Sequence, residues 1–217
     1  PGADHRLKIY KSHGALALSE AVPVLENFGY RVIGELPTRL REDSDSFIHD
    51  FMVEPQGDVA NIDRTVLEGA IGAVLRGAAE NDSFNRLMLV AGLTPSAVLL
   101  YRAWFRYLRQ AGMAYGLNTV ADTLGRAPML AKALIDRFTL AHDPQATGDV
   151  DTIDAEIAAG LDAVTAIDDD RILRAFKALI AATLRTNAFA PAAAEALAFK
   201  LDSSRIPGLP APLPWRE

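Results

Sequence analysis

Few residues in this 217-residue chain have the types and spacing that chemistry requires. His49-Asp50 comes nearest to an acid–base pair. Neighbours on a strand point to opposite faces, however, so His49 goes with Phe47 and Phe51 while Asp50 goes with Ile48 and Met52. A packed structural histidine and a partly exposed aspartate are expected. The four histidines, at 5, 13, 49 and 142, form no H-x-x-x-H or H-E-x-x-H pattern, so any metal site would need long-range convergence. There is no cysteine, which excludes disulfides and thiolate ligands for zinc. Asp168, Asp169 and Asp170 could ligate a cation, but three carboxylates opening a helix are expected to cap it and to offset its positive end. Ser12, His13 and Gly14 lie between a strand and a helix, where backbone N–H groups at the helix start can receive an anion. An ordinary turn that needs glycine is the competing reading. Arg102, Arg106 and Arg109 fall at i, i+4 and i+7 and make one basic stripe, interleaved with Tyr101, Trp104, Phe105 and Tyr107. Basic plus aromatic can mean single-stranded nucleic acid. This stripe is short, and residues 58–144 carry 9 basic and 8 acidic groups, a balance of only +1. A paired or solvated face beside a packed aromatic face is expected. Contact with another domain through Arg102, Trp104, Arg106 and Arg109 is the alternative, since these residue types are enriched at interfaces. No G-x-G-x-x-G and no P-loop is present.

The elements that must position these residues divide the chain. Half of the residues are apolar, enough for a sizeable core. Net charge is −6, with −3 over residues 1–57 and −4 over 145–217, so no segment has the basic balance of a nucleic-acid binder. No apolar run approaches the ~20 residues that cross a bilayer, and no secretory signal is visible. Strands are predicted at 6–10, 30–36 and 47–53, the second stopped by Pro37, with a helix between the first two. Ser19 is its expected N-cap, Pro23 is awkward inside it, and Gly29 is a good residue just past its end. The order β-α-β-β is half of a ferredoxin-like unit. From about 61 the periodicity turns helical. Asn61 or Asp63 caps the first helix and Ser83 the second, which stops at Gly92. Thr94-Pro95 opens the third. Further helices are predicted at 118–125, 128–141, 152–166 and 168–187, with Leu173, Phe176, Ile180 and Leu184 as the core stripe of the last. Four prolines between Pro207 and Pro214 predict an extended tail, with Trp215 packed on something beyond it.

Several fragments, taken in order, resemble the large bacterial NAD-specific glutamate dehydrogenases. They are Leu7-Lys8-Ile9-Tyr10, Leu18-Ser19-Glu20, Val24-Leu25-Glu26-Asn27-Phe28-Gly29, Phe47-Ile48-His49-Asp50-Phe51, Phe84-Asn85-Arg86-Leu87 and Tyr107-Leu108-Arg109-Gln110-Ala111-Gly112. The strongest are Arg171-Ile172-Leu173, Thr183-Leu184-Arg185-Thr186-Asn187 and Phe199-Lys200-Leu201-Asp202. The resemblance implies an internal fragment of a longer polypeptide, as does the start at Pro1 rather than Met. It implies an α+β, predominantly helical fold: an ACT-like β-α-β-β module at 1–57, a helical connector at 58–144, and a linker, long helix and first segment of the catalytic domain at 145–217. A full ACT module is β-α-β-β-α-β, and no clear fourth strand follows here. The family oxidises L-glutamate to 2-oxoglutarate and ammonia with NAD. Its catalytic lysine motif and Rossmann fingerprint are absent from these residues, so no catalytic, NAD-binding or metal-binding residue is expected in this piece, which should be inactive alone. The implied partners are the remaining domains of the same polypeptide, further copies in a homo-oligomer and an amino-acid effector at Ser12, His13 and Gly14. Neither nucleic acid nor membrane is implied, and the implied location is cytoplasmic. Arg185, Thr186 and Asn187 could approach substrate in the parent. Two other readings fit the same residues: a stand-alone amino-acid-sensing module, or a helical scaffold that docks a partner through the Trp104 face.

Overall fold

A computed structural model describes residues 5–41, 45–57, 63–209 and 211–216. The chain divides into two compact units, residues 1–98 and 99–217. The architecture is α+β and mostly helical, with eight α-helices among the described residues and a small sheet near the N-terminus.

Unit 1 opens with β1 (His5–Lys11), α1 (Leu18–Asn27), β2 (Tyr30–Arg39), β3 (Phe47–Pro55) and α2 (Arg64–Leu75). Among the described residues the sheet has three strands in the order β1-β3-β2, all antiparallel. Alternation on β3 sends His49, Phe51 and Val53 inward, at 1%, 0% and 2% exposure, to share a core with Val24, Leu25 and Phe28 of the α1 region. The opposite face of β3 carries Asp50, which accepts hydrogen bonds from Arg6 on β1 at 3.0 and 2.8 Å. Arg6 holds the Asp50 carboxyl below the usual carboxylate range.

Helix α1 differs from expectation at its start. Its N-cap is Ala17, with no side-chain cap, and Ser19 lies in the first turn. Pro23 is inside the helix, where its missing N–H forgoes one intrahelical bond. Phe28 ends α1, and Gly29 adopts φ +89° to turn the chain into β2. Strand β2 also runs on past Pro37, which sits opposite His49. A proline is tolerated there because β2 is an edge strand whose lost donor was not needed by a neighbour. Asp63 caps α2 by accepting from the backbone N–H groups of Thr65 and Val66 at 2.9 and 3.3 Å. The alternative cap, Asn61, lies outside the described residues. A 3-10 turn, Ser83–Asn85, then leads into α3 (Arg86–Ala91). Asp82, not Ser83, caps that turn, accepting from Phe84 N–H at 3.1 Å. Gly92, left-handed at φ 60°, ends α3 as expected.

Helix α4 (Pro95–Gln110) begins near the boundary between the units. Unit 2 continues with α5 (Leu117–Arg126), α6 (Pro128–His142), α7 (Val150–Asp162) and α8 (Ile167–Ala182), followed by the short strands β4 (Thr183–Thr186) and β5 (Phe199–Leu201). Its core is aromatic. Trp104 stands edge-on to Tyr101 at 5.4 Å and to Phe138 at 4.9 Å, and Tyr101 stands edge-on to Phe176 at 5.3 Å. All four rings are at most 1% exposed, and such edge-to-face pairs add to their burial energy. The Tyr101 hydroxyl donates to Ala131 C=O at 2.7 Å, and burial pushes its pKa well up, so it stays a donor.

Helix α8 stops earlier than its periodicity suggests. It ends at Ala182, and the chain passes directly into β4. Thr183 Oγ1 donates back to Leu179 C=O at 3.0 Å, and Asp202 N–H donates to Ala182 C=O at 2.8 Å, so carbonyls left open by the helix end find partners. Leu184 is consequently 40% exposed on a strand rather than core on a helix.

Two outcomes follow. A Cβ at Gly29 would meet Leu89 Cδ2 at 3.2 Å and Arg86 Cβ at 3.4 Å in a left-handed backbone. Gly29→Ala should therefore destabilise unit 1 by about 1–3 kcal/mol in urea unfolding. In unit 2, hydrogen bonds from Arg126 depress the Asp169 pKa. The stability this provides is full above the unfolded value of about 3.9 and is lost as pH falls through the lower folded value. Urea midpoints measured from about pH 6 to pH 2 should drop on the acid side, and Asp169→Asn should flatten that acid limb.

Candidate functional site

The loop between β1 and α1 is held from within. Gly14 takes φ +70°, and its N–H donates to Asp45 C=O at 2.9 Å. Leu16 N–H donates to His49 Nε2 at 2.9 Å, while His49 Nδ1 lies 2.8 Å from Glu35 Oε1. Nε2 can accept only without a proton, so Nδ1 carries the hydrogen and donates it to Glu35. His49 is thus the structural histidine the alternation suggested, stacked between Phe47 and Phe51 at 6.0 and 6.4 Å. With the Gly14 amide bonded to Asp45 and the Leu16 amide to His49, exposed Ser12 and His13 are left as the open part of the loop. A groove of about 1050 Å³ runs along β1 and α2. Ser12, Tyr30, Arg64 and Leu67 line it, and His13 and Gly14 do not. Among the described residues no strand pairs with the β1 edge on that side.

The α4 stripe is split by the fold. Arg102 is buried at 6% exposure, whereas Arg106 and Arg109 are exposed. Arg109 Nη1 donates to Met113 C=O at 2.8 Å and closes the turn after the helix. Trp104 corrects the interface reading, because at 1% exposure its ring is core and offers no outward face. Its Nε1 is buried and has no hydrogen-bond partner among the described residues.

The three aspartates of α8 do not cap it, since the N-cap is Ala166 and has no side-chain bond. Each carboxylate instead has its own partner. Asp168 accepts from the Tyr115 hydroxyl at 2.6 Å, and Asp170 accepts from Arg174 at 2.7 Å. Asp169 accepts from Thr123 Oγ1 at 2.8 Å and from Arg126 at 2.9 and 2.6 Å, tying α8 to α5. Thr123 and Arg126 were not singled out in the sequence, where only their i, i+3 spacing links them. Among the described residues no group of three His, Cys, Asp or Glu could hold a metal ion.

At the hairpin, Thr186 and Asn187 serve the loop that follows. Asn187 Nδ2 donates to Ala196 C=O at 2.7 Å and its Oδ1 accepts from Ala198 N–H at 2.8 Å. Thr186 Oγ1 donates to Ala198 C=O at 2.8 Å. Of the Arg185, Thr186, Asn187 run, only Arg185 is left exposed to meet a ligand. The tail folds back: the Ser203 hydroxyl donates to Pro214 C=O, and Arg216 donates to Asp202 at 3.1 Å. Trp215 is 84% exposed, so the packing expected of it is not found among these residues.

With this geometry in place, three family models match the chain in order. Residues 1–66 match the ACT3 domain of glutamate dehydrogenase, and residues 79–144 match its helical motif 3. Residues 156–217 match the catalytic domain of bacterial NAD-glutamate dehydrogenase. The class is therefore an ACT-type module followed by a helical motif and the opening of a dehydrogenase domain. Segment by segment, the chain is thus similar to the bacterial NAD-glutamate dehydrogenases. It is 36% identical to the NAD-specific glutamate dehydrogenase of Halomonas elongata over all of its own length. It is 38% identical to that of Pseudomonas aeruginosa over 97% of its length, and 36% identical to that of Mycobacterium tuberculosis over 93%. The chain spans about 14% of the length of each of these relatives. No helix among the described residues is long and apolar enough to cross a membrane.

Because Trp104 is core, Trp104→Ala should cost unit 2 about 3–5 kcal/mol in chemical denaturation rather than only loosening an assembly. Trp104→Phe should cost clearly less, since it removes the unpartnered donor while keeping most of the ring.

Proposed function

We propose that this chain is the regulatory, connecting and entry portion of an enzyme that oxidises L-glutamate to 2-oxoglutarate and ammonia with NAD. The observation that carries the reading is the ordered succession of three matches, from an ACT-type module to the opening of a catalytic domain. The domain division we propose is 1–57, 58–144 and 145–217. The reaction chemistry belongs to other parts of the polypeptide. These residues do not fit NAD: the sequence holds no G-x-G-x-x-G, and among the described residues every strand pair is antiparallel, without the parallel βαβ unit of a dinucleotide fold.

The role of the chain is to position and regulate. The remaining domains of the same polypeptide are its partners, and Arg106 and Arg109, the exposed arginines of the α4 stripe, are the ones placed to face them. An amino-acid effector at Ser12, His13 and Gly14, assembly as a homo-oligomer and a cytoplasmic location complete the proposal. Glutamate-dependent reduction of NAD should be measurable for the full-length polypeptide and absent from the 217-residue chain alone. Activity in the short chain, or none in the full-length protein, would overturn it.

A further inference from the structure

The β4–β5 hairpin places two cations side by side. In its antiparallel register Arg185 is paired directly with Lys200. Side chains at directly opposed positions share a face, with Cβ atoms about 5 Å apart, and like charges there repel. Both residues are exposed. Several other cations of unit 2 are compensated. Arg126, Lys132, Arg137, Arg171, Arg174 and Arg216 each have a carboxylate within 4 Å. Arg185 and Lys200 have none among the described residues. The acid nearest along β5, Asp202, is already engaged by Ser204 Oγ at 2.7 Å and by Arg216 at 3.1 Å.

The backbone beneath the pair is fixed. Between Thr183 and Arg185 the register shifts, a bulge that sets where Arg185 emerges. Immediately after the pair, the Thr186 and Asn187 side chains clamp the 187–198 loop. Ala182 C=O and Asp202 N–H tie the other end of the hairpin to α8. Two uncompensated cations on a clamped ribbon lack only an acceptor with two or more negative oxygens. Guanidinium binds such a group through a planar fork and ammonium as a point charge.

We propose that Arg185 and Lys200 form an oxyanion-binding site, taking the carboxylate of a small organic acid or a phosphate group. The site rests on the hairpin alone; only the choice of 2-oxoglutarate as a probe rests on the function proposed above. The test is a titration of the 217-residue chain, at constant ionic strength, with 2-oxoglutarate and separately with inorganic phosphate. It is followed through the NMR signals of the Arg185 side-chain N–H and the hairpin amides. Saturable shifts in the millimolar range are expected with one or both. Saturation by 2-oxoglutarate alone identifies an organic acid as the source, and saturation by phosphate alone identifies a phosphate ester. Arg185→Gln or Lys200→Gln should each weaken binding about tenfold. The double variant should lose it, and Lys200→Arg should keep it. Lys132→Gln, which removes the same charge from α6, should leave it unchanged. No saturable shift with either probe, or the same shift in a double variant whose thermal transition matches the parent, would overturn the site. Because this readout involves no turnover, its failure is separate from failure of the dehydrogenase reading.

Discussion

Strand β3 is bonded along both edges, to β1 over seven residue pairs and to β2 over nine, and unit 1 depends on that double attachment. Side chains on a strand alternate, so a slip of one residue would exchange whole faces. His49, Phe51 and Val53 would leave the core, and Ile48, Asp50 and Met52 would enter it. The slip would bury Asp50 away from Arg6 and part His49 from the Leu16 amide. An unpaired buried carboxylate is among the costliest errors a fold can make. The register thus fixes at once the hydrophobic core, the surface ion pair and the loop that leads into α1.

Unit 2 solves a different problem. Its helices are rich in alanine and short aliphatic side chains, which pack closely but specify little. The rings of Tyr101, Trp104, Phe138 and Phe176 supply shape, meeting edge to face at 4.9–5.4 Å. Around them the charged groups act locally. Asp169 joins α8 to α5 through Arg126 and Thr123, and Arg137 on α6 reaches Asp154 on α7 at 2.9 Å. Exposed pairs of this kind contribute little individually. Their value is directional, since each has one partner helix.

Much of this could be read from the residues. The β-α-β-β order, the pairing of His49 with Phe47 and Phe51, the Gly29 turn and helices α5 and α6 all follow from periodicity and turn chemistry. What was hidden has identifiable causes. Strict alternation along β2 would place Glu35 outward and Leu36 inward, but the bulge between Val32 and Gly34 reverses the parity. Glu35 therefore meets His49, and Leu36 is 61% exposed. The helical pattern through Leu184 concealed the end of α8 because strand and helix signals overlap over so few residues. What betrays the switch is Thr183, which bonds Leu179 and pairs with Leu201. By residue type Trp104 fits a packed aromatic face or an interface alike, and burial decides for the expected packed face. The hairpin cations could not be matched from sequence, because 14 positions separate Arg185 from Lys200 and the pairing register lay outside local reasoning.

The junction between α8 and β4 has no loop. Ala182 is the last helical residue and Thr183 the first of the strand, and two hydrogen bonds bind the hairpin to the helix end. Loops absorb motion because their dihedral angles are free to adjust. Here the helix and ribbon form a single crank: a rotation of α8 about its axis must swing β4 through an arc, carrying Arg185 with it. A displacement too small to alter packing along the helix would be magnified at the far end of the hairpin.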